Sequence, residues 1–189
     1  DYGTDTGVGG EVRGNYATLN AVDGSNSGTG GNGTLSEGNL KYTRPGTGYG
    51  GFRSTIGVKT GKWYWEVQTV SPTNLSDTGI VNDAFALTTA NYTGSTADGY
   101  GIDGWARAVH NSVTQFDGTN LSANDIVRFA LDLDNGYLYI GINNQWYDSA
   151  GTLGAWNAAN YVWSGLDLTK AWFPTARSSS DTQYWNFGQ

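Results

Sequence analysis

Paired carboxylates are the first residues here whose types and spacing could do chemistry. Hydrolysis of a glycosidic bond needs two carboxyl groups held roughly 5–9 Å apart, one as the acid and one as the nucleophile or base. Asp132 and Asp134 lie two residues apart, so they share one face of a strand. Both flank the turn signal Asn135-Gly136, and we expect them to point into solvent. Glu66 stands alone on another predicted strand, so the sequence predicts no catalytic pair.

Histidine and metal-ligand patterns give no stronger signal. His110 is the only histidine, and the chain has no cysteine. No serine lies in a G-x-S-x-G elbow, so a hydrolytic triad would need scattered residues, and we expect His110 to be a polar residue on an edge strand. The run from Asp132 to Gly136 fails as a calcium loop, because its glycine is at position five and Asn143 occupies position twelve. We therefore predict no catalytic residue, metal site or cofactor.

Aromatic residues between the predicted strands are the remaining candidates. A ring in a loop either caps the core or presents a flat face on which a sugar or a protein can stack. Capping is the commoner fate of one such residue, but several in one module favour a binding platform. Two polar neighbours could hydrogen-bond to ligand hydroxyl groups. The predicted ligand-binding residues are Tyr49, Tyr92, Asp103, Trp105, Trp156, Asn157 and Tyr161.

The composition predicts one all-β domain. The 189 residues include 29 glycines, eight tryptophans and twelve tyrosines, which is typical of many strands joined by tight turns. The formal net charge is −7 and the ten basic residues are scattered, which disfavours nucleic acid as a partner. No apolar run approaches the roughly 20 residues that span a bilayer, so we expect no membrane insertion. Because methionine is absent, we expect an excised module, a processed product or a renumbered piece of a longer protein.

Residues 61–70 form the most informative predicted strand. With a period of two, Trp63, Trp65 and Val67 fall on one face, and Tyr64 and Glu66 fall on the other. A face with two buried tryptophans needs a large apolar surface opposite, and a second sheet is the best candidate. Further strands are predicted at residues 16–19, 52–58, 83–89, 100–102, 106–116 and 182–187. A late strand is predicted to begin at Trp172-Phe173-Pro174. Loops are predicted at residues 21–32, 44–51 and 151–165.

Two hairpins follow from turn signals. Residues 34–42 are predicted to turn at Glu37-Gly38, which sets Leu35 opposite Leu40. Residues 125–142 are predicted to turn at Asn135-Gly136. The pairs expected there are Leu133 with Leu138, Leu131 with Ile140 and Phe129 with Ile142.

These elements predict an all-β, two-sheet antiparallel jelly-roll sandwich. The sequence contains no convincing amphipathic helix, and ten to a dozen strands without crossover helices favour antiparallel sheets. We expect residues 1–15 to be a glycine-rich arm or linker and residues 16–189 to be the sandwich domain. By alternation, the core should contain Trp63, Trp65, Phe129, Trp185 and Phe187.

Three segments resemble the SPRY domain, a jelly roll related to the concanavalin A-like lectins. They are the run from Gly61 to Val67 (GKWYWEV), the run from Ala130 to Gly136 (ALDLDNG) and the closing Asn186-Phe187-Gly188. The stretches 3–7 and 14–20 are similar to the lead-in of SPRY modules in structural proteins of tailed bacteriophages. Together the resemblance covers nearly the whole chain.

The resemblance implies a non-catalytic module that binds partners through loops at one end of the sandwich. In a phage it would be displayed on the virion surface, on a tail fibre, spike or capsid fibre, and would recognise a host-surface glycan or protein. A second hypothesis is a structural or decoration domain that binds only other virion proteins, within a homotrimer ordered by the arm. A third is a polysaccharide-cleaving enzyme, for which the sequence offers no paired acid and base.

Overall fold

The fold consists of antiparallel β-strands, and the computed structural model describes residues 16–25, 33–88 and 90–188. Within these ranges no residue is helical, and no helix long and apolar enough to cross a membrane occurs. The predicted arm at residues 1–15 lies outside them, so the proposed domain boundary stays a prediction. The strands are β1 Leu19–Gly24, β2 Thr34–Ser36, β3 Lys41–Ser54, β4 Lys62–Thr69, β5 Ser76–Asn82, β6 Gly99–Asp103, β7 Arg107–His110, β8 Val113–Asp117, β9 Ile126–Asp132, β10 Tyr137–Ile142, β11 Gln145–Tyr147, β12 Leu153–Gly154 and β13 Trp172–Asn186.

The strands form one curled network with two halves. The order is β12-β11-β10-β9-β4-β13-β5-β6-β7-β8, and β3 pairs with β13 along most of its length. β13 pairs with β5 through its first residues and with β4 through its last. We call the strands from β12 to β4 the β4 half-sheet and those from β5 to β8 the β5 half-sheet. The predicted jelly-roll architecture is confirmed.

The core lies between the two half-sheets. Trp65 and Phe129 of the β4 half-sheet stack with their ring centroids 5.1 Å apart. Tyr100 of the β5 half-sheet contacts Trp163 and Trp172, with centroids 5.3 and 5.4 Å away. All five belong to one cluster of buried residues. Trp163, within the predicted loop 151–165, is buried, and its backbone pairs with Leu138.

The β9–β10 hairpin has a different register from the one predicted. Leu131 pairs with Leu138 and Phe129 with Ile140, because four residues (133–136) form the turn rather than two. The Asp132 carboxylate fixes this longer turn by accepting hydrogen bonds from the backbone N–H groups of Asp134 and Asn135, both at 3.1 Å. The shift moves the pairing by two residues, so every side chain keeps its predicted face.

Other predicted boundaries are wrong. The turn after β2 spans four residues, so Leu35 pairs with Tyr42 and not with Leu40. The first strand is Leu19–Gly24 instead of residues 16–19. Residues 44–51 are part of β3, and residues 83–88 are irregular, since the strand of that region is β5. β5 was missed because it is buried on both faces, which removes the alternation by which strands are recognised.

The core prediction made from side-chain alternation along β4 is wrong at one position. Trp63 is 46% exposed, although Trp65 and Val67 on the same face are buried. Its indole Nε1–H donates to the carbonyl of Thr60, two residues before β4 begins, at 2.8 Å. The buried apolar face of β4 therefore begins at Trp65, two residues later than predicted.

Candidate functional site

The seven predicted ligand-binding residues divide into two separate groups. Tyr49, Tyr92 and Asp103 line one cleft on the β5 half-sheet, and Trp105 lies beside it. Trp156 and Tyr161 belong to an aromatic cluster on the β4 half-sheet, and Asn157 follows Trp156 in the same loop. The structure thus offers two candidate sites of different chemistry.

The first site, which we call the polar cleft, has a volume of about 190 Å³. β3 supplies Tyr49, β6 supplies Asp103, β7 supplies Arg107, and the segment between β5 and β6 supplies Tyr92. The rings of Tyr49 and Tyr92 lie 5.9 Å apart and are tilted by 44°. The full lining is Tyr49, Asp77, Tyr92, Thr93, Gly101, Asp103, Arg107, Val109 and Thr114.

An ion pair lies at the rim of the polar cleft. The Arg107 guanidinium contacts the Asp103 carboxylate at 2.6 Å through Nη2 and donates to it at 2.7 Å through Nε. The same carboxylate accepts the backbone N–H groups of Trp105 and Arg107, at 2.9 and 3.0 Å. Burial raises the pKa of Asp103, and these hydrogen bonds oppose the rise. Arg107 remains partly exposed, so part of its guanidinium faces the cleft.

A row of buried charged groups lies beneath this ion pair. Cross-strand pairing sets Arg177 of β13 opposite Asp77 of β5, and Asp77 opposite Asp103 of β6. Asp77 accepts the backbone N–H of Thr93, while burial raises its pKa well above the ordinary value. Burial also lowers the pKa of Arg177 to about 10. Sequence reasoning missed this row because β5 itself was missed.

Trp105 lies beside the polar cleft and is 46% exposed. The Arg107 guanidinium carbon is 5.3 Å from the centre of the Trp105 ring. A cation over an aromatic face is attracted by the ring quadrupole. Arg107 therefore links the ring of Trp105 to the carboxylate of Asp103, although only the latter two were predicted as site residues.

The second site, which we call the aromatic groove, has a volume of about 330 Å³ on the outer face of the β4 half-sheet. Trp156 is 51% exposed, and its ring centroid lies 4.8 Å from those of both Tyr139 and Trp146. Tyr161 stacks on Tyr137 at 4.4 Å. The groove is lined by Lys62, Trp63, Tyr64, Ala130, Leu131, Asp132, Tyr139, Trp156 and Ala158.

Asn157 and Asp132 differ from their expected roles. The Asn157 side chain accepts the backbone N–H of Ala159 at 2.9 Å, so it shapes the loop that carries Trp156. Asp132 is buried rather than solvated, and it also accepts a hydrogen bond from Lys62 Nζ at 2.6 Å. Burial alone would raise the pKa of Asp132, but the hydrogen bonds from Lys62 and Asn135 lower it.

His110 has a structural environment. Its imidazole stacks on the Tyr100 ring with centroids 3.8 Å apart, and Nδ1 lies 2.8 Å from the Gly99 carbonyl. Because a carbonyl can only accept, Nδ1 carries the proton in this hydrogen bond. β7 lies between β6 and β8, so the expectation of an edge strand is wrong. Within the part of the chain that the structure describes, no three His, Asp or Glu residues cluster as a metal site.

Comparisons with known proteins agree with this architecture. The family model of the SPRY domain matches residues 62–187, which is more than half of the chain. The crystal structure of the SPRY domain of human HERC1 is similar, with a TM-score of 0.64 and 14% sequence identity. The similarity covers 82% of this chain and 92% of that one. A comparison with curated proteins gives no significant match.

Proposed function

This chain belongs to the SPRY domain family, and we propose that it is a non-catalytic binding module that recognises a protein partner through the polar cleft. SPRY domains generally mediate protein–protein interactions and do not catalyse reactions. The observation that carries the proposal is the convergence of Tyr49, Tyr92, Asp103 and Arg107, from separate segments, on one concave site.

The chemistry of the polar cleft suits a peptide better than an apolar ligand. Tyrosine and arginine are the residues most often found at the energetic centres of protein interfaces. Arg107 offers donors at the rim, and Thr93 and Thr114 offer hydroxyl groups that donate or accept. A peptide backbone presents both donors and acceptors, so it can satisfy these groups when water is displaced.

A polysaccharide-cleaving enzyme is the competing candidate, because the structure brings together a carboxyl pair that the sequence did not indicate. Asp77 and Asp103 are directly opposite on β5 and β6. However, Asp77 is fully buried beneath Thr93, and Asp103 is held by Arg107 and by two backbone N–H groups. Both carboxyl groups are therefore already engaged in hydrogen bonds within the protein. Release of reducing ends from a purified polysaccharide, abolished by Asp77→Asn, would establish the enzyme instead.

We also propose a setting for the module, the surface of a tailed-phage virion, on a tail fibre, spike or capsid fibre. The resemblance of residues 3–7 and 14–20 to the lead-in of phage SPRY modules supports this setting. The protein partner would then be a host-surface protein or, in a purely structural role, another virion protein. Labelled antibodies against the module should decorate purified virions in electron micrographs.

A homotrimer ordered by the arm is proposed together with this setting. Sedimentation tests this oligomeric state, and a monomer with the arm intact contradicts it.

The cleft is tested by selecting peptides from a random library displayed on yeast, with the domain as bait. Peptides enriched by the wild-type domain should bind Tyr92→Ala and Arg107→Lys at least about tenfold more weakly, which corresponds to about 1.4 kcal/mol. Lysine keeps the charge but loses the planar fork of donors. The control is Trp156→Ala, which removes an exposed ring from the aromatic groove and should leave peptide binding unchanged. Peptides that bind all four proteins equally would show that the polar cleft is not the recognition site.

A further inference from the structure

The outer face of the β4 half-sheet has a regular arrangement of side chains around the aromatic groove. Tyr64 of β4, Ala130 of β9 and Tyr139 of β10 are directly opposite one another on three adjacent strands. Neighbouring strands are about 4.8 Å apart, so the two tyrosines stand on either side of a one-methyl floor. Trp156 leans over this row from the loop that follows β12.

Contacts on their outer sides hold the rings of the groove in place. Trp146 lies against both Tyr64 and Trp156, at 6.4 and 4.8 Å between ring centroids. The Tyr139 hydroxyl donates to the Ala158 carbonyl at 2.9 Å, which ties the Trp156 loop to the sheet. Tyr64 and Trp156 nevertheless stay about half exposed, at 48% and 51%. Rings that are positioned but not covered form a preorganised stacking surface.

The two charged groups that line the groove are paired with each other. At one end Lys62 pairs with Asp132 at 2.6 Å, in the row directly beside Tyr64 and Ala130. On the other side the Glu66 carboxylate accepts a hydrogen bond from the Tyr64 hydroxyl. The guanidinium carbon of Arg128 lies 5.0 Å from the centre of the Trp146 ring. Lys62, the cation in the lining of the groove, is therefore already paired, and the net charge of −7 repels a polyanion.

The groove still offers hydrogen bonds to an uncharged ligand. An ammonium group has three N–H donors, and the contact with Asp132 uses one of those of Lys62. Phenolic oxygens of Tyr64 and Tyr139 can accept. Hydroxyl groups both donate and accept, so a sugar matches this mixture, whereas a proline-rich peptide offers carbonyl acceptors alone. The volume of about 330 Å³ is within the range of small-ligand sites, roughly 300–1,000 Å³.

From these observations we infer that the aromatic groove is a second binding site, separate from the polar cleft, and that it holds a neutral glycan. The sugar rings stack on the exposed rings of Tyr64 and Trp156, which flank the buried Tyr139, and Lys62 donates to hydroxyl groups at one end. The inference does not depend on the proposed function of the polar cleft, because the two sites share no residue.

The test uses neutral tetrasaccharides built of glucose, galactose or mannose, with binding measured by calorimetry and tryptophan fluorescence. At least one should bind the wild-type domain, and Trp156→Ala and Tyr64→Ala should each weaken binding at least tenfold. A third variant, Ala130→Phe, fills the floor without removing a ring and should abolish binding. The matched control is Trp105→Ala, which removes an equally exposed tryptophan beside the polar cleft and should leave glycan binding unchanged.

Several results would overturn the inference. These are the absence of binding to every neutral tetrasaccharide, equal binding by Ala130→Phe, and preference for polygalacturonate or for a polyproline peptide. Thermal unfolding of each variant shows that it is folded. Arg107→Lys should keep glycan binding while losing peptide binding, so failure of one site is distinguishable from failure of the other.

Discussion

At the scale of single residues, the polar cleft is controlled by buried charges that lie in one row across three strands. Arg177, Asp77 and Asp103 follow one another on β13, β5 and β6, and Arg107 completes the row from β7. Burying a charge is costly unless it is paired. Arg177 and Arg107 flank the two adjacent carboxyl groups, and the ion pair with Arg107 together with two backbone hydrogen bonds holds Asp103 at the rim in a fixed position.

The pKa of Asp77 makes the stability of the domain depend on pH. Because burial raises the pKa of Asp77 above its ordinary value of 3.8, the folded state keeps a proton that the unfolded state has released at pH values above 3.8. The contribution of Asp77 to the free energy of unfolding is therefore largest below this window and is lost as the pH rises through it. Asp77→Asn removes the titrating group, so its unfolding free energy should fall less steeply with pH.

Urea unfolding at a series of pH values from 5 to 8 measures this difference. The control is Asp134→Asn, which removes one negative charge from an exposed position at the β9–β10 turn and should keep the wild-type slope. Parallel profiles for wild type and Asp77→Asn would contradict the explanation.

At the scale of elements, the long strand β13 positions both candidate sites. Its first residues pair with β5, beneath the polar cleft, and its last residues pair with β4, beside the aromatic groove. β5 lies close to β6 because it carries Gly79, at a position where β13, β5 and β6 are paired with one another. A Cβ at Gly79 would lie 2.0 Å from the Tyr100 carbonyl oxygen.

Replacement of this glycine should separate β5 from β6. Gly79→Ala is expected to lower the free energy of unfolding by about 1–3 kcal/mol, as overpacking does in a tightly packed interior. The matched control is Gly154→Ala, also on a strand, where an added Cβ meets no atom within 4 Å. Chemical denaturation of both variants measures the difference, and equal stabilities would show that the β5–β6 contact can relax.

At the scale of the whole molecule, stability depends on aromatic contacts between the two half-sheets. Trp172 opens β13 and is 1% exposed. It contacts Tyr100, its Nε1–H donates to the Asp167 carbonyl at 3.0 Å, and its backbone bridges to Val58. The side chain and backbone of this one residue thus join the β5 half-sheet, β13 and the segment before β4.

Truncation of Trp172 should therefore destabilise the entire domain. Trp172→Ala is expected to cost about 3–5 kcal/mol, the range for large aromatic residues in cores. Trp156→Ala removes the same side chain from an exposed position and should cost far less. Calorimetric unfolding distinguishes the two, and similar losses for both variants would mean that the aromatic groove is part of the stabilising core.

The sequence by itself determined the fold class, the parity of most strands and the core positions of Trp65 and Phe129, because alternation and turn residues are local signals. It could not give the β9–β10 register, since the turn length depends on how the Asp132 carboxylate is satisfied. It could not reveal β5, whose two faces are both covered by other parts of the chain. Tertiary structure alone decided that Tyr49, Asp103 and Arg107 share one cleft while Tyr64 and Trp156 share another, because both groups are assembled from strands distant in sequence. The predicted ligand residues remain predictions, but their division into a charged cleft and a charge-compensated aromatic groove follows from strand pairing.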